Sequence, residues 1–331
     1  MPGGERAGHP LELSLTGDDR PLFTTPLSHS AGAFLWSSLA VGATSVVRPE
    51  YDVEETLSLV EGGVTWTFMV PTMIYRLLDS PALDGADTGP LRTLVYGAAP
   101  MRPDRLREGV ERLGPVFLQF YGQTEVPNLI TTLGKQEHAT AVADGHDDVL
   151  GSAGRPALLT DVKVVDRSGE AVPTGETGEI LAAAPYAFSR YLGRPDETAR
   201  TLRDGWVHTG DLGFRDEDGF VHLVDRKTDV VITGGMNVYT QEIEPVLAEH
   251  PGVEAVAVIG VPDPEWGEAV CAIVVPTDPD AVTANDLRAF ADERLADYKK
   301  PKQVRFVERL PTTPYGKLDK SSLRERYADR E

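Results

Sequence analysis

Cysteine and long apolar runs are scarce in this sequence. The one cysteine, Cys271, stands in the apolar run EAVCAIVVP without the histidine and asparagine pattern of a thiol nucleophile. It is therefore predicted to be a small buried side chain, and no disulfide can form within one chain. The stretch SAGAFLWSSLAVGATSVV is interrupted by serine and glycine, and the opening MPGGERAGHP has no apolar centre. Neither a membrane span nor a signal peptide is expected, and the predicted location is the cytoplasm.

Positive charge is also in deficit. The chain has 32 lysines and arginines against 52 aspartates and glutamates, a formal net charge of −20. This charge repels a phosphate backbone, so no nucleic-acid partner is expected. The seven histidines are scattered, no Gly-x-Ser-x-Gly motif occurs, and DEDG at 216–219 lacks the other ligands of an EF-hand. Zinc, serine-hydrolase and calcium sites thus lack support, and DEDG is interpreted as a hairpin turn.

The whole chain, with 331 residues of which 41% are hydrophobic, is long enough for two domains. In its first part, helix-like and strand-like segments alternate. Apolar spacing and turn residues predict helices over 52–63, 71–80 and 102–114, and strands over 64–70 and 91–97. Strands that alternate with helices indicate a largely parallel sheet. From about residue 150 the pattern changes to short strands and tight turns, which indicates a β-rich subdomain.

The last hundred residues have a separate pattern. After residue 229, two apolar strand-like runs lie between helix-like segments, Thr283 and Asp286 resemble a capping box, and a further strand-like run follows, in the order αββαβ. That order suits a small α+β domain. The predicted division is 1–225, with a β-rich part at about 150–225, and 226–331.

Glycine-flanked polar residues recur at five places, at or near the ends of predicted strands or in turns. They are YGAAPM (96–101), FYGQTEVPN (120–128), WVHTGD (206–211), DRKTDVVITGGMNVY (225–239) and PTTPYGKLDK (311–320). In this order they resemble the adenylate-forming superfamily, specifically the acyl-CoA synthetases, from about residue 17 onward. The resemblance implies an α/β fold: a truncated large adenylating domain, with a parallel sheet, helices and the β-rich subdomain, followed by the small α+β domain.

The resemblance also implies a reaction and its cofactors. In that family a carboxylate attacks the α-phosphate of ATP to form an acyl-adenylate and pyrophosphate, and a thiol then displaces AMP. ATP, Mg²⁺ and CoA are the implied cofactors, a fatty or aryl acid is the implied substrate, and a carrier-protein thiol in place of CoA stays open. The function implied is that of an AMP-forming acid–thiol ligase.

Several residues match the family's nucleotide-binding positions. Asp211 matches the family aspartate that accepts hydrogen bonds from both ribose hydroxyls, as an ionised carboxylate can. Arg226 matches the family arginine that donates to the ribose from the other side. The adenine would stack on one aromatic ring and lie against small residues, which permit close approach. These residues are Tyr121, Gly122, Gly97, Ala98 and Ala99. Without the resemblance, Asp211 is better explained as a turn aspartate, Arg226 as a solvated surface charge, and YGAAP as a tight strand-to-helix turn.

Three further residues match catalytic positions. Glu125 resembles the magnesium-associated glutamate and Thr124 the hydroxyl that contacts the α-phosphate. Lys317, beside Gly316, matches the lysine that reaches the carboxylate and α-phosphate during adenylation. Without the resemblance, a lysine in a C-terminal loop is simply a solvated charge.

The remaining implied positions concern the acid, the thiol and the domain hinge. His29 in PLSHSAG and Trp36 are candidates for the acyl pocket, although His29 is as readily a buried structural histidine and an aromatic residue is usually core. Gly234 and Gly235 match the glycine loop that lines the pantetheine tunnel, where backbone passes close to a thin ligand. Thr228 stands at the hinge, where the family usually has Asp or Lys.

One element of the family pattern is not found. Family members carry, before the segment equivalent to PLSHSAG, a Ser/Thr/Gly-rich phosphate loop with a lysine, and no such loop occurs in the 331 residues. Such a loop binds the outer phosphates of ATP through backbone N–H groups. The expectation is therefore an acyl-CoA synthetase that is incomplete as this chain. The alternative is a non-adenylating nucleotide- or CoA-binding protein, or a half-enzyme that needs a partner chain or homo-oligomer.

Overall fold

The computed structural model describes residues 12, 15–279, 281–312 and 318–327. The chain divides into two compact units, one of Met1–Thr209 and Gly213–Leu223 and the other of Gly210–Leu212 and Val224–Glu331. Among the described residues, no helix has both the length and the apolar character that a bilayer crossing requires.

A seven-stranded sheet forms the centre of the first unit. Its strands are β1 (Pro21–Phe23), β2 (Val46–Val47), β3 (Trp66–Met69), β4 (Thr93–Gly97), β5 (Phe117–Gln123), β6 (Val126–Leu133) and β7 (Arg155–Pro156). The order is β2-β1-β3-β4-β5-β6-β7, and the neighbours from β2 to β5 are parallel while β5, β6 and β7 pair antiparallel. The predicted parallel sheet is confirmed.

Helices connect these strands, and residues at the ends of several helices explain why those helices begin or end there. They are α1 (Ser30–Val41), α2 (Val53–Glu61), α3 (Pro71–Leu78), α4 (Pro103–Leu113), α5 (Lys135–Asp144) and α6 (Asp147–Leu150), with a 3₁₀ turn at Pro81–Gly85. Asp52 caps α2 by accepting from the backbone N–H of Glu55, and prolines occupy the first position of α3 and α4. Gly114, at φ +80°, ends α4. The helices predicted for 52–63, 71–80 and 102–114 are confirmed.

The sheet is covered on both faces, because side chains alternate along each strand. Leu94 and Tyr96 pack on one face with residues of α2, α3 and α4. Val95 packs on the other face with Phe34 of α1 and Trp66 of β3. Continuous burial along β3 and β4 matches their nearly unbroken apolar sequence, as expected for a central strand with both faces covered.

A buried histidine joins the sheet to α5. The Nδ1 atom of His138 is 2.8 Å from the carbonyl oxygen of Gly134, and its Nε2 atom is 2.8 Å from the hydroxyl of Tyr96. A carbonyl oxygen only accepts, so Nδ1 carries the proton of the neutral ring and Nε2 accepts from Tyr96. Burial lowers the pKa of His138 to about 4.

Because of His138, the free energy of unfolding is expected to decrease as the pH is lowered. The unfolded chain binds a proton at His138 below pH 6.5 whereas the folded chain resists it until about pH 4. Between these values, lowering the pH destabilises the fold by about 1.4 kcal/mol per pH unit from this group alone. Urea unfolding at several pH values measures the slope, and His138→Gln should flatten it. An equal slope in the variant would contradict the assignment.

A second sheet lies mostly in the first unit, although Gly210–Leu212 of one strand and the last residues of another are counted with the second unit. Its strands are β8 (Asp161–Val165), β9 (Gly178–Ala183), β10 (Leu202–Arg203), β11 (Trp206–Arg215) and β12 (Val221–Arg226), with α7 (Pro195–Thr201) before β10. The order is β10-β11-β9-β8, and β12 pairs with β11. This confirms the β-rich character predicted from about residue 150.

The DEDG segment is the turn between β11 and β12. Asp216 accepts from the backbone N–H of Phe220 through Oδ1 at 2.8 Å, and its Oδ2 is 2.7 Å from Nε2 of His222. The hairpin interpretation is confirmed, since both carboxylate oxygens of Asp216 are used within the turn. Among the described residues, no group of three or more metal-ligating side chains occurs.

The second unit has its own sheet and core. It contains β13 (Val231–Thr233), β14 (Met236–Val238), α8 (Thr240–Ala248), β15 (Val253–Asp263), β16 (Gly267–Pro276), α9 (Ala284–Asp292), a 3₁₀ turn at Asp297–Lys299, β17 (Gln303–Phe306) and α10 (Lys320–Tyr327). Strand order is β14-β13-β16-β15, and β17 pairs parallel with β16. The αββαβ order and the Thr283–Asp286 capping box are confirmed. Cys271 is fully buried, as predicted, and burial raises its thiol pKa to about 11.

Candidate active site

The C-terminal ends of β4 and β5 bring two of the predicted motifs together in the first unit. Gly97 pairs with Phe120, and a Cβ atom on Gly97 would lie 2.3 Å from the carbonyl oxygen of Phe120. Ala98 follows with φ +68°, a left-handed conformation that costs a residue with a side chain about 1 kcal/mol. Ala98 and Ala99 are exposed beyond the sheet edge. Small residues therefore stand where the backbone leaves the sheet close to the neighbouring strand.

The β5–β6 hairpin carries the second motif. Gln123 pairs with Val126, so Thr124 and Glu125 form the two-residue connection between the strands. Gly122 lies against Asn128, where a Cβ atom would come within 2.6 Å of the backbone. This contact explains why glycine follows Tyr121, which is half-buried at the end of β5. Thr124 is exposed and Glu125 is half-buried, and paired strands flank both residues.

Helix α1 begins beside the same hairpin. The hydroxyl of Ser30 donates to the side-chain oxygen of Asn128 at 2.9 Å, across 98 residues of sequence. His29 is the N-cap residue of α1; it is exposed, and its Nδ1 is 2.9 Å from the hydroxyl of Ser28. Trp36 is 58% exposed on α1. The structure therefore places His29 near the hairpin, and Trp36 outside the core.

A residue that the sequence analysis did not single out holds Glu125. The hydroxyl of Tyr191 donates to Glu125 Oε1 at 2.5 Å, and the backbone N–H of Phe188 donates to the carbonyl of Glu125 at 2.8 Å. Thr198 fixes Tyr191 in turn, because its hydroxyl accepts from the Tyr191 backbone N–H at 3.0 Å. Burial and the bond to Glu125 raise the pKa of Tyr191. No periodicity or spacing in the sequence links residues 66 positions apart, so only the fold shows this contact.

Asp211 and Arg226 meet in the second unit. Asp211 is 7% exposed on β11, and its Oδ1 is 3.1 Å from Nε of Arg226, whose side chain is 61% exposed. A backbone bond of 2.8 Å from the N–H of Lys227 to the carbonyl of Gly210 joins the two segments beside this pair. The two residues predicted to bind a ribose are thus neighbours, although 15 positions separate them.

The paired glycines form a tight hairpin between β13 and β14. Gly234 and Gly235 have φ of +56° and +79°, which suits a two-residue turn of the I′ type. A Cβ atom on Gly234 would lie 2.8 Å from the ring of Trp266, so a side chain there would have to displace that ring and adopt a left-handed backbone conformation. Thr228 lies in the turn after β12, with its hydroxyl 3.2 Å from Asp229. Lys317 and Gly316 lie outside the described residues.

Comparison with known sequences gives a consistent result. The profile described as "AMP-binding enzyme" matches residues 6–192, and the profile described as "AMP-binding enzyme C-terminal domain" matches residues 242–317. The medium/long-chain-fatty-acid–CoA ligase FadD8 of Mycobacterium tuberculosis is 42% identical over 324 residues, which cover 96% of this chain and 56% of that protein. A feruloyl-CoA synthase of Amycolatopsis sp is 43% identical over 320 residues, covering 96% and 63%.

Solved structures of similar fold lead to the same family. The amide bond synthetase McbA from Marinactinospora thermotolerans superposes with a TM-score of 0.86 at 38% identity, covering 98% of this chain and 66% of that one. ATP-bound MatB from Rhodopseudomonas palustris gives a TM-score of 0.86 at 35% identity, covering 98% and 63%. This chain therefore spans a little over half to about two thirds of the length of its relatives. The first profile matches more than half of the chain, and the chain belongs to the AMP-binding, adenylate-forming enzyme family.

Proposed function

We propose that this chain provides the adenosine-binding, catalytic and thiol-accepting residues of an AMP-forming acid–thiol ligase, an acyl-CoA synthetase. The observation that carries the proposal is the convergence of Gly97, Ala98, Tyr121 and Glu125 at one edge of the parallel sheet. Ligands of open α/β sheets bind at this edge, beyond the carboxyl ends of the strands. We place the functional boundary between the large and small domains at 225 and 226.

Candidate contacts are present for the adenine and, separately, for the ribose of ATP. Tyr121 offers a ring for stacking on adenine, and the backbone of the exposed Ala98 and Ala99, which follow the buried Gly97, is accessible to the edge of the base because the side chains are small. Asp211 accepts from the ribose hydroxyls and Arg226 donates to the ribose. Because Arg226 already pairs with Asp211, the charge of the buried carboxylate is compensated before the nucleotide binds.

Adenylation requires one carboxylate oxygen of the acid to attack the α-phosphorus of ATP. A new C(O)–O–P bond forms, the bond from the α-phosphorus to the bridging oxygen breaks, and pyrophosphate leaves with the electron pair of that bond. Thr124 would donate to an α-phosphate oxygen, and Lys317 would contact both the acid and the α-phosphate. A cation at this point stabilises the negative charge that develops in the transition state.

Glu125 is the residue that would hold Mg²⁺. It is a single carboxylate, and magnesium in nucleotide sites is commonly bound by one or two carboxylates together with substrate phosphates and water. Tyr191 occupies Oε1 of Glu125, and no protein hydrogen bond to Oε2 is present among the described residues. The bound ion would supply compensation of the phosphate charge, while Tyr191 fixes the direction of the carboxylate.

The second half-reaction needs a thiol beside the adenylate. The thiolate sulfur attacks the acyl carbon and a C–S bond forms. The bond from the acyl carbon to the phosphate oxygen breaks, and AMP leaves with that oxygen and the electron pair. The Gly234–Gly235 hairpin would lie along the pantetheine arm, since its backbone is exposed and carries no side chain. CoA is the proposed thiol, and a carrier-protein thiol is the alternative. Thr228 is the proposed hinge residue.

The proposed acid is a fatty or aryl carboxylic acid. The relatives described above are named for medium- and long-chain fatty acids and for the feruloyl group, so an acid with an extended apolar part fits both. His29 and Trp36 are proposed to line its path, because α1 begins at the hairpin that carries Glu125.

A second candidate function is a half-enzyme that binds nucleotide and thiol but does not activate the acid alone. It is favoured by the lack of a Ser/Thr/Gly-rich phosphate loop in the 331 residues. In this case the contacts to the β- and γ-phosphates come from a partner chain or a second copy. Thioester formation from a supplied acyl-adenylate would remain possible.

The deciding experiment is ATP–pyrophosphate exchange by the purified 331-residue chain with a panel of fatty and aryl acids. Exchange that Lys317→Ala abolishes would support adenylation by this chain. If exchange is absent, CoA thioester formation from synthetic acyl-adenylates supports the half-enzyme. A folded chain that shows neither reaction, and no AMP binding by calorimetry, would contradict both candidates.

A further inference from the structure

A buried polar cluster in the second unit joins three elements of secondary structure. Its members are Asp225 near the end of β12, Thr240 at the start of α8, Glu244 on α8 and Lys320 at the start of α10. Asp225 is 2% exposed and Thr240 is completely buried. Burying ionisable groups is costly unless hydrogen bonds and opposite charges compensate them, so a cluster of this kind needs every polar atom placed.

Both carboxylate oxygens of Asp225 are engaged. Oδ1 accepts from the backbone N–H of Arg226 at 2.7 Å, and Oδ2 accepts from the backbone N–H and the hydroxyl of Thr240, the latter at 2.9 Å. The carboxylate therefore also satisfies a backbone donor at the start of α8. Burial raises the pKa of Asp225, and these donors and the charge of Lys320 offset part of that shift.

Lys320 completes the cluster from the other side. Its Nζ atom donates to the hydroxyl oxygen of Thr240 at 2.7 Å and pairs with Oε1 of Glu244 at 2.7 Å. Glu244 Oε1 also accepts from the backbone N–H of Val258 at 2.7 Å. The Thr240 hydroxyl donates to Asp225 and accepts from Lys320, so one hydroxyl connects the two charges.

The cluster adjoins both motifs of the proposed chemistry. Asp225 directly precedes Arg226, and Lys320 follows Lys317 by three residues in the sequence. The backbone of Arg226 is held on both sides: its N–H bonds to Asp225, and its carbonyl accepts from the N–H of Asp229 at 2.8 Å. Because the Arg226 side chain is largely exposed, the position of this backbone determines where the guanidinium can reach.

We propose that Asp225, Thr240 and Lys320 are positioning residues for Arg226. The buried relay Lys320–Thr240–Asp225 fixes the backbone at Arg226, so that the guanidinium stands beside Asp211 before a ribose arrives. Preorganisation of this kind increases affinity because less freedom is lost on binding. The choice of AMP as ligand rests on the proposed function, whereas the fixing of Arg226 does not.

Thr240→Val tests the relay with a change of nearly the same shape. The valine removes the hydroxyl and both of its bonds but keeps the backbone N–H that donates to Asp225. We expect AMP to bind about tenfold more weakly, the equivalent of one hydrogen bond to a charged group. We also expect the backbone amide of Arg226 to exchange with deuterium about tenfold faster, because its acceptor is less firmly held. Calorimetry and exchange mass spectrometry measure the two effects.

The matched control is Thr283→Val in the same unit. Thr283 caps α9 through hydrogen bonds with Asp286, so this variant also loses a hydrogen-bonded threonine hydroxyl at the start of a helix, but at an exposed position away from Arg226. A lower melting temperature with unchanged AMP affinity and unchanged exchange at Arg226 is expected. Lys320→Met, which keeps the aliphatic stem, replaces Thr240→Val if that variant does not fold.

The outcomes separate this inference from the proposed function. A folded Thr240→Val or Lys320→Met variant with AMP affinity and Arg226 exchange both within about twofold of the parent chain would overturn the inference. If the parent chain binds no AMP, the proposed function fails, and faster exchange at Arg226 in the variant then decides for the relay while unchanged exchange decides against it.

Discussion

Asp211→Asn is expected to weaken AMP binding about 100-fold. The amide keeps the size of the side chain but loses the charge and one acceptor oxygen, so a ribose hydroxyl and Arg226 can no longer both be satisfied. Hydrogen bonds to charged groups contribute about 1.5 to 3 kcal/mol each, and 100-fold corresponds to about 2.7 kcal/mol. Calorimetric titration with AMP measures the loss directly and does not require turnover.

The control for this prediction is a second Asp-to-Asn change. Asp218 is exposed in the turn between β11 and β12, so Asp218→Asn removes the same charge from the chain without touching the proposed ribose site. We expect unchanged affinity for AMP. A loss of affinity in both variants would indicate an effect of net charge, and no loss in Asp211→Asn would contradict the assignment of the ribose site.

Gly97→Ala is expected to destabilise the first unit by about 2 to 3 kcal/mol, a cost typical of overpacking a close-packed interior. The added Cβ atom would lie 2.3 Å from the carbonyl oxygen of Phe120, which is backbone and cannot rotate away. Strands β4 and β5 must therefore separate, and the proposed adenine contact at Tyr121 shifts with them. Urea unfolding measures the stability, and AMP titration of the folded variant should show weaker binding.

The neighbouring residue supplies the contrast. Ala98 has a positive φ, so Ala98→Gly removes backbone strain while it adds freedom to the unfolded chain. These effects oppose each other, and the stability should change by less than about 1 kcal/mol. If Gly97→Ala is as well tolerated as Ala98→Gly, the close packing of β4 against β5 is not the reason for glycine at 97.

Interactions within one segment explain why the secondary structure could be predicted. Asp52 caps the helix that follows it, Pro71 and Pro103 begin helices, and Gly114 ends one, because each acts on backbone groups within a few residues. The fold class followed from the same local patterns together with the order of the five motifs. The parallel sheet, the β-rich subdomain and the small α+β domain are all confirmed.

Contacts between distant segments are what the sequence did not reveal. Glu125 was identified by its motif, but its partner Tyr191 was not, since the two are 66 residues apart and Tyr191 stands in a segment without a distinctive pattern. Lys320 was quoted only as the end of a motif, and its place in a buried cluster with Thr240 became visible in the fold.

By itself, then, the sequence determined which residue types stand at strand ends and in turns. Those residues indicated the family, the helices and strands, and candidate site residues such as Asp211 and Arg226. Only the tertiary structure decided which side chains contact the candidate site residues. Tyr191 donates to Glu125, and Asp225, which accepts from Thr240, also accepts from the backbone N–H of Arg226. The physical reason is that caps and turns depend on dihedral angles a few residues apart, whereas a buried hydrogen bond depends on the packing of whole elements.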